Sequence, residues 1–115
     1  MIGLAVTAPT LGADAYDGSY NGTRVLTKGP DQTCPAKDDV SVRIHGEALT
    51  FTDSSLRHET IAFAPRPDGS FGLISAGVGG SAVLIRGRIV GNVLEADATN
   101  GPCEHHWHLE KRSGG

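Results

Sequence analysis

The sequence predicts an all-β protein, an antiparallel up-and-down meander of about eight strands forming a small closed or nearly closed barrel. A β-sandwich is the alternative. Three observations carry this. Apolar residues recur with period 2, not 3.6. Turn-forming residues separate the apolar runs at roughly 8–12-residue intervals. No segment offers ten residues of amphipathic helical spacing behind a cap.

The elements follow in order. Strands are expected at 19–27, 39–45, 48–53, 58–64, 70–76, 81–90, 93–99 and 103–111. Val40, Val42 and Ile44 alternate with Ser41, Arg43 and His45, which places one set inward and the other in solvent. Leu49 and Phe51 alternate with Thr50 and Thr52, and Ile61 and Phe63 with Thr60 and Ala62. Asp17-Gly18, Gly46-Glu47, Pro67-Asp68-Gly69, Gly77 through Gly80, Gly91-Asn92 and Asn100-Gly101 supply the turns. Consecutive hairpins with short links favour a meander, and closing it removes both exposed edges.

With 115 residues and 38% hydrophobic types, the chain suits one domain, expected over 16–112 with a tail at 113–115. Residues 2–13 are small and uncharged and run into Ala13-Asp14-Ala15, a small-x-small triplet that fits a signal-peptidase site. Residues 1–15 are therefore expected to be a signal-peptide remnant or a flexible tail, and the protein periplasmic or secreted. A net charge of −3 gives no polybasic footprint for nucleic acid, and no apolar run is long enough for a membrane-spanning helix.

Cys34 and Cys103 are an even pair outside any C-x-x-C or zinc-finger spacing. In an oxidising compartment they form one bridge; two separate thiols are the alternative. In a closed meander the first and last strands pair, so a Cys34–Cys103 bridge is expected to pin the seam.

Tyr16-Asp-Gly-Ser-Tyr-Asn-Gly22, Cys34, Val-Arg-Ile-His-Gly46, Pro67-Asp-Gly-Ser-Phe71, Ile-Val-Gly91-Asn and Gly101-Pro-Cys103 form a series of signposts. Together they resemble a group of short exported β-meander proteins of alpha-proteobacteria with one cysteine near each end. The resemblance spans about residues 16–112 and implies an exported small β domain with one disulfide. The group has no assigned activity, so no catalytic residues carry over. The histidine-rich last strand departs from it.

That strand, Cys103-Glu-His-His-Trp-His-Leu-Glu110, is the richest patch of chemistry. Cys103, His105, Trp107 and Leu109 share one face, which the apolar members mark as interior. Glu104, His106, His108 and Glu110 form an outward row at about 7 Å intervals. His-x-His on a strand is a ligand geometry for zinc or copper, so His106, His108 and Glu104 are the candidate metal ligands. The ordinary alternative is a solvated outer face, with no cofactor. His45 lies too far across the sheet to join them, and His105 is expected to be half-buried with a backbone partner.

Asp53-Ser-Ser-Leu-Arg-His58 gathers Asp, Ser and His, but a triad is assembled from separated positions on a rigid scaffold. Gly77-Val-Gly-Gly-Ser81 lacks the Lys-Ser/Thr and the helix of a phosphate loop. No enzyme is expected. The arginines, Arg24 among them, fall mostly on outward or turn positions, and Arg86 and Arg88 are candidates for a surface recognition patch. Only six aromatics are available, and a barrel of this size needs most of them to fill itself, which argues against an interior ligand cavity. The expectation is a non-enzymatic binding or interaction module of the bacterial cell envelope, partnered by another envelope protein and monomeric or weakly dimeric. A weak zinc- or copper-binding protein is the alternative.

Overall fold

The computed structural model describes residues 16–30, 32–53, 58–75 and 83–112. The expected signal remnant, the 113–115 tail, the Ser54–Arg57 part of the polar loop, the Gly77–Gly80 turn and the start of the 81–90 strand lie outside the described residues. Eight strands follow one another: β1 Gly18–Lys28, β2 Lys37–His45, β3 Ala48–Asp53, β4 His58–Ala62, β5 Ser70–Ser75, β6 Val83–Val90, β7 Val93–Asn100 and β8 Cys103–Lys111. All pair antiparallel in a single sheet of order β4-β3-β2-β1-β8-β7-β6-β5, a nearly closed barrel with no helix among the described residues. One continuous sheet excludes the sandwich.

The alternation read from the sequence is the inside-outside alternation of the barrel. Val40, Val42 and Ile44 of β2, Leu49 and Phe51 of β3, Phe71 and Leu73 of β5, Ile85 and Ile89 of β6, and Trp107 and Leu109 of β8 are all buried. Gly46 and Gly91 take φ of 60° at two hairpin tips, a left-handed conformation that suits glycine best. Gly22 has a different task. A Cβ there would collide with the His108 carbonyl oxygen and come within 2.8 Å of Leu109 Cα, so only glycine lets β1 and β8 approach.

The first and last strands pair as expected, from Tyr20 opposite Lys111 to Lys28 opposite Glu104. Cys34 and Cys103 form a disulfide, with Cα atoms 5.7 Å apart. The seam, however, is elsewhere. The β1–β8 pair lies in the middle of the sheet, and the two edges that meet without a backbone ladder among the described residues are β4 and β5. β4 has only five residues and pairs along β3, so side chains make this junction instead. Ser75 Oγ donates to Glu59 Oε1 at 2.5 Å, and the rings of Phe63 and Phe71 meet edge-on with centroids 5.4 Å apart. The disulfide therefore ties the β1–β2 connection to the start of β8, away from the seam.

Candidate functional site

The two ends of the barrel are filled differently. At the end carrying the β2–β3, β4–β5 and β6–β7 turns, Tyr16, Tyr20, Ile44, Leu49, Phe63, Phe71, Ile89, Leu94 and Leu109 pack into a solid core. Tyr20, buried among them, donates its hydroxyl to the Tyr16 carbonyl at 2.8 Å. Four of the six aromatics are spent here. At the opposite end the inward positions include Arg24, Ser75, Ala98 and His105, which are small or polar. They surround a cavity of about 170 Å³. The scarcity of aromatics that argued against a cavity is what leaves this end hollow.

Phe51 and Trp107 form one wall of this cavity. Their rings stack with centroids 5.2 Å apart and planes 19° from parallel. Ile61, Val83 and Ile85, from β4 and β6, also line it. Arg24, Glu59 and His105 are among the polar residues that line it. Arg24 is not on an outward position: it continues the inward row of Tyr20 and Gly22 and lies opposite Trp107 in the β1–β8 register. Its Nη2 donates to Asp38 Oδ2 at 2.8 Å and its guanidinium lies 5.8 Å from the Phe51 ring centroid, so its place is fixed from two sides. Glu59 accepts from Ser75 across the seam. His105 is buried, with a backbone partner as expected: its Nε2–H donates to the Pro35 carbonyl at 2.8 Å.

Two donors on this wall, Arg24 Nε and Trp107 Nε1, are buried without an acceptor among the described residues. A buried donor left unpaired costs about 1–3 kcal/mol, and such groups are uncommon in folded proteins.

On the outside, His106 and His108 face outward as expected, and each stands opposite a carboxylate of β7: His106 opposite Asp97, His108 opposite Glu95. His106 Nδ1 lies 2.9 Å from Asp97 Oδ1, and its Nε2 lies 2.7 Å from Glu95 Oε1. His108 Nδ1 lies 2.6 Å from Glu95 Oε2, and its Nε2 lies 3.3 Å from Glu110 Oε2. Both nitrogens of each ring thus meet carboxylates, an arrangement satisfied in full only by the doubly protonated imidazolium. Contacts from Asp97 and then Glu95 raise His106 above the ordinary histidine value, and contacts from Glu95 and then Glu110 raise His108. Hydrogen bonds from His108 and His106 hold the Glu95 carboxyl below its usual value.

The carboxylates that meet the histidines are therefore Glu95, Asp97 and Glu110. Glu104, the expected third ligand, stands on the same strand opposite Thr99 and Lys28. His45 is on β2 beside Asp17, at 3.8 Å, and His58 on β4 touches Thr52. Among the described residues no group of three or more His, Cys, Asp or Glu side chains is arranged to hold a metal ion. Arg86 and Arg88 are exposed on β6, opposite Asp97 and Glu95, and Arg88 Nη2 reaches Asp68 Oδ2 at 3.2 Å. This outer face is a mosaic of paired charges.

The sequence reading missed Arg24, Glu59, Ser75 and Ala98 as a set. Strand parity counted from Tyr20 carried the signal for Arg24. The other three meet only once the barrel closes. No family model, curated protein or solved structure matches this chain.

Proposed function

We propose that the chain is an exported, non-enzymatic binding module of the bacterial cell envelope, and that it binds at the hollow end of the barrel rather than on its outer face. The observation that carries this is the asymmetry of the bore. One end is packed solid, while the other keeps a cavity of about 170 Å³ with a stacked aromatic wall and a few fixed polar groups. That combination, mostly apolar lining with convergent polar anchors, is the general form of a small-ligand site. The outer face favours binding less, because its histidines and Arg88 already hold partners within the chain.

Two features support the remaining parts of the reading. A disulfide suits an oxidising compartment, and the Ala13-Asp14-Ala15 triplet suits processing on export. Ser75 gives its hydroxyl to Glu59 and His105 gives its Nε2–H to a backbone carbonyl, so neither is arranged as a nucleophile with its base.

A thermal-shift panel of small ring compounds spanning neutral, anionic, cationic and purely apolar members tests the reading. At least one class is expected to raise Tm in wild type, and Ala98→Leu, which narrows the cavity, is expected to remove the effect while the protein still melts cooperatively. A panel with no stabilising member, or stabilisation that survives Ala98→Leu unchanged, overturns it.

A further inference from the structure

The cavity's size sets the first limit on what it accepts. An engineered cavity of about 150 Å³ holds one benzene. At about 170 Å³ this one has room for a single ring with a small substituent, and not for a dinucleotide or a fused polycycle.

Polar side chains of the lining are already engaged. Arg24 donates to Asp38 at 2.8 Å, and its guanidinium lies 5.8 Å from the Phe51 ring centroid. Ser75 donates to Glu59, and His105 to the Pro35 carbonyl. Asp38, Glu59 and Ser75 each hold a further interaction as well. These groups fix the shape of the cavity. A guest that needed one of them would compete with a bond inside the chain, and a charged guest would also lose hydration, which costs far more than burying a neutral ring. Arg24 Nε and Trp107 Nε1 have no acceptor among the described residues, but both are sealed from solvent, so neither is presented to a guest.

Apolar surface of two kinds remains. Ile61, Val83, Ile85 and Ala98 supply aliphatic contact. Phe51 and Trp107 supply stacked rings with planes 19° apart. A third ring can extend that stack or meet its edges, both favoured aromatic geometries, and an aromatic pair gains roughly two- to twelvefold in affinity beyond the burial of area. A saturated ring of the same size lacks that gain.

We propose that the hollow end binds an uncharged, planar, single-ring aromatic molecule, held by contact with the Phe51–Trp107 stack and the aliphatic side chains around it and not through charge. This rests on the hollow end being a binding site at all.

Trp107 is the single tryptophan of the sequence, so its indole N–H gives one resonance that reports on the stack. Uniformly ¹⁵N-labelled protein is titrated with toluene, phenol, cyclohexanol, benzoate and benzylammonium. Toluene and phenol are expected to shift the indole resonance saturably. Cyclohexanol, which keeps the hydroxyl and loses the flat ring, is expected to bind more weakly than phenol by roughly two- to twelvefold. Benzoate and benzylammonium are both expected to be weaker than toluene by roughly tenfold or more, because neither sign of charge recovers its lost hydration. Phe51→Leu, which replaces one stacked ring by a saturated side chain, is expected to narrow the gap between phenol and cyclohexanol. Ala98→Leu is expected to abolish the shifts with the remaining amide resonances in place. Cyclohexanol binding as tightly as phenol, a gap unchanged in Phe51→Leu, or either ion binding as tightly as toluene overturns the ligand class while the binding site stands. A shift with phenol and none with toluene does the same. No saturable shift with any of the five, or shifts unchanged in Ala98→Leu, overturns both the ligand class and the binding site.

Discussion

Removing the disulfide is the perturbation whose size the structure fixes best. Cys34 and Cys103 are 69 residues apart, and in the chain-entropy model a loop of that length constrains the unfolded state by about 4 kcal/mol at 25 °C. Measured values usually fall short of that figure, so a loss of about 3 kcal/mol is the working expectation for Cys34→Ala with Cys103→Ala. For a domain of this size each kcal/mol moves Tm by about 4–8 °C, which gives a fall of roughly 12–24 °C. Part of the effect is local, because Cys34 is itself fully buried and the bridge holds the connection whose Pro35 carbonyl receives His105. Differential scanning calorimetry of the double variant and of reduced wild type separates the two contributions: both lose the loop constraint, and only the variant loses the buried sulfur. Hydrogen exchange is expected to show new opening first at His105 and Trp107, with Ile44, Leu94 and Leu109 at the solid end still protected. A Tm fall below about 3 °C, or opening that begins at the solid end, refutes the reasoning.

Three further outcomes follow from named contacts. Gly22→Ala drives a methyl into the His108 carbonyl, a backbone group with no freedom to yield, and is expected to cost about 3 kcal/mol in urea unfolding; a cost under 1 kcal/mol, well short of that estimate, contradicts the close approach of β1 and β8. The carboxylate–imidazole row makes stability pH-dependent with a definite sign. Raised histidines contribute stability below their ordinary 6.5, lost as pH climbs through their folded values; lowered Glu95 contributes above its ordinary 4.5, lost as pH falls through its folded value. The row therefore stabilises most between those two ordinary values, and His106→Gln with His108→Gln is expected to lower Tm most inside that window and to flatten the Tm–pH profile on either side of it; an unchanged profile refutes the ladder. Zinc at neutral pH must displace carboxylate hydrogen bonds at both rings, so Tm is expected to stay within about 1 °C of the metal-free value, and a larger rise abolished by the same double variant contradicts this.

The strands were legible because period-2 alternation is written locally. Val40, Val42 and Ile44, or Leu49 and Phe51, declare their face without reference to anything distant. The pairing of first and last strands was legible from closure of the meander, which the placement of the two cysteines fits. The partners of the histidine row were legible in principle: with Asn100 opposite Cys103 across the Gly101 turn, counting back places Asp97 opposite His106 and Glu95 opposite His108. The seam was not legible, since whether β4 meets β5 through a ladder or through Ser75, Glu59 and two phenylalanines depends on how far the sheet curls. Nor was the cavity. Composition counts six aromatics and cannot say that Tyr16, Tyr20, Phe63 and Phe71 gather at one end while Ala98 and Ser75 leave space at the other. That distribution is a property of register around a closed barrel, set by residues up to a whole sheet apart.

The central claim is that the barrel is solid at one end and hollow at the other, and methyl NMR under xenon pressure tests it most directly. Xenon enters apolar space that protein atoms leave unfilled. The methyls of Ala98, Val83 and Ile85, which line the cavity, are expected to shift saturably, while those of Ile44, Leu94 and Leu109 in the packed end stay still. Equal shifts at both ends, or none at Ala98 and Ile85, would contradict the account.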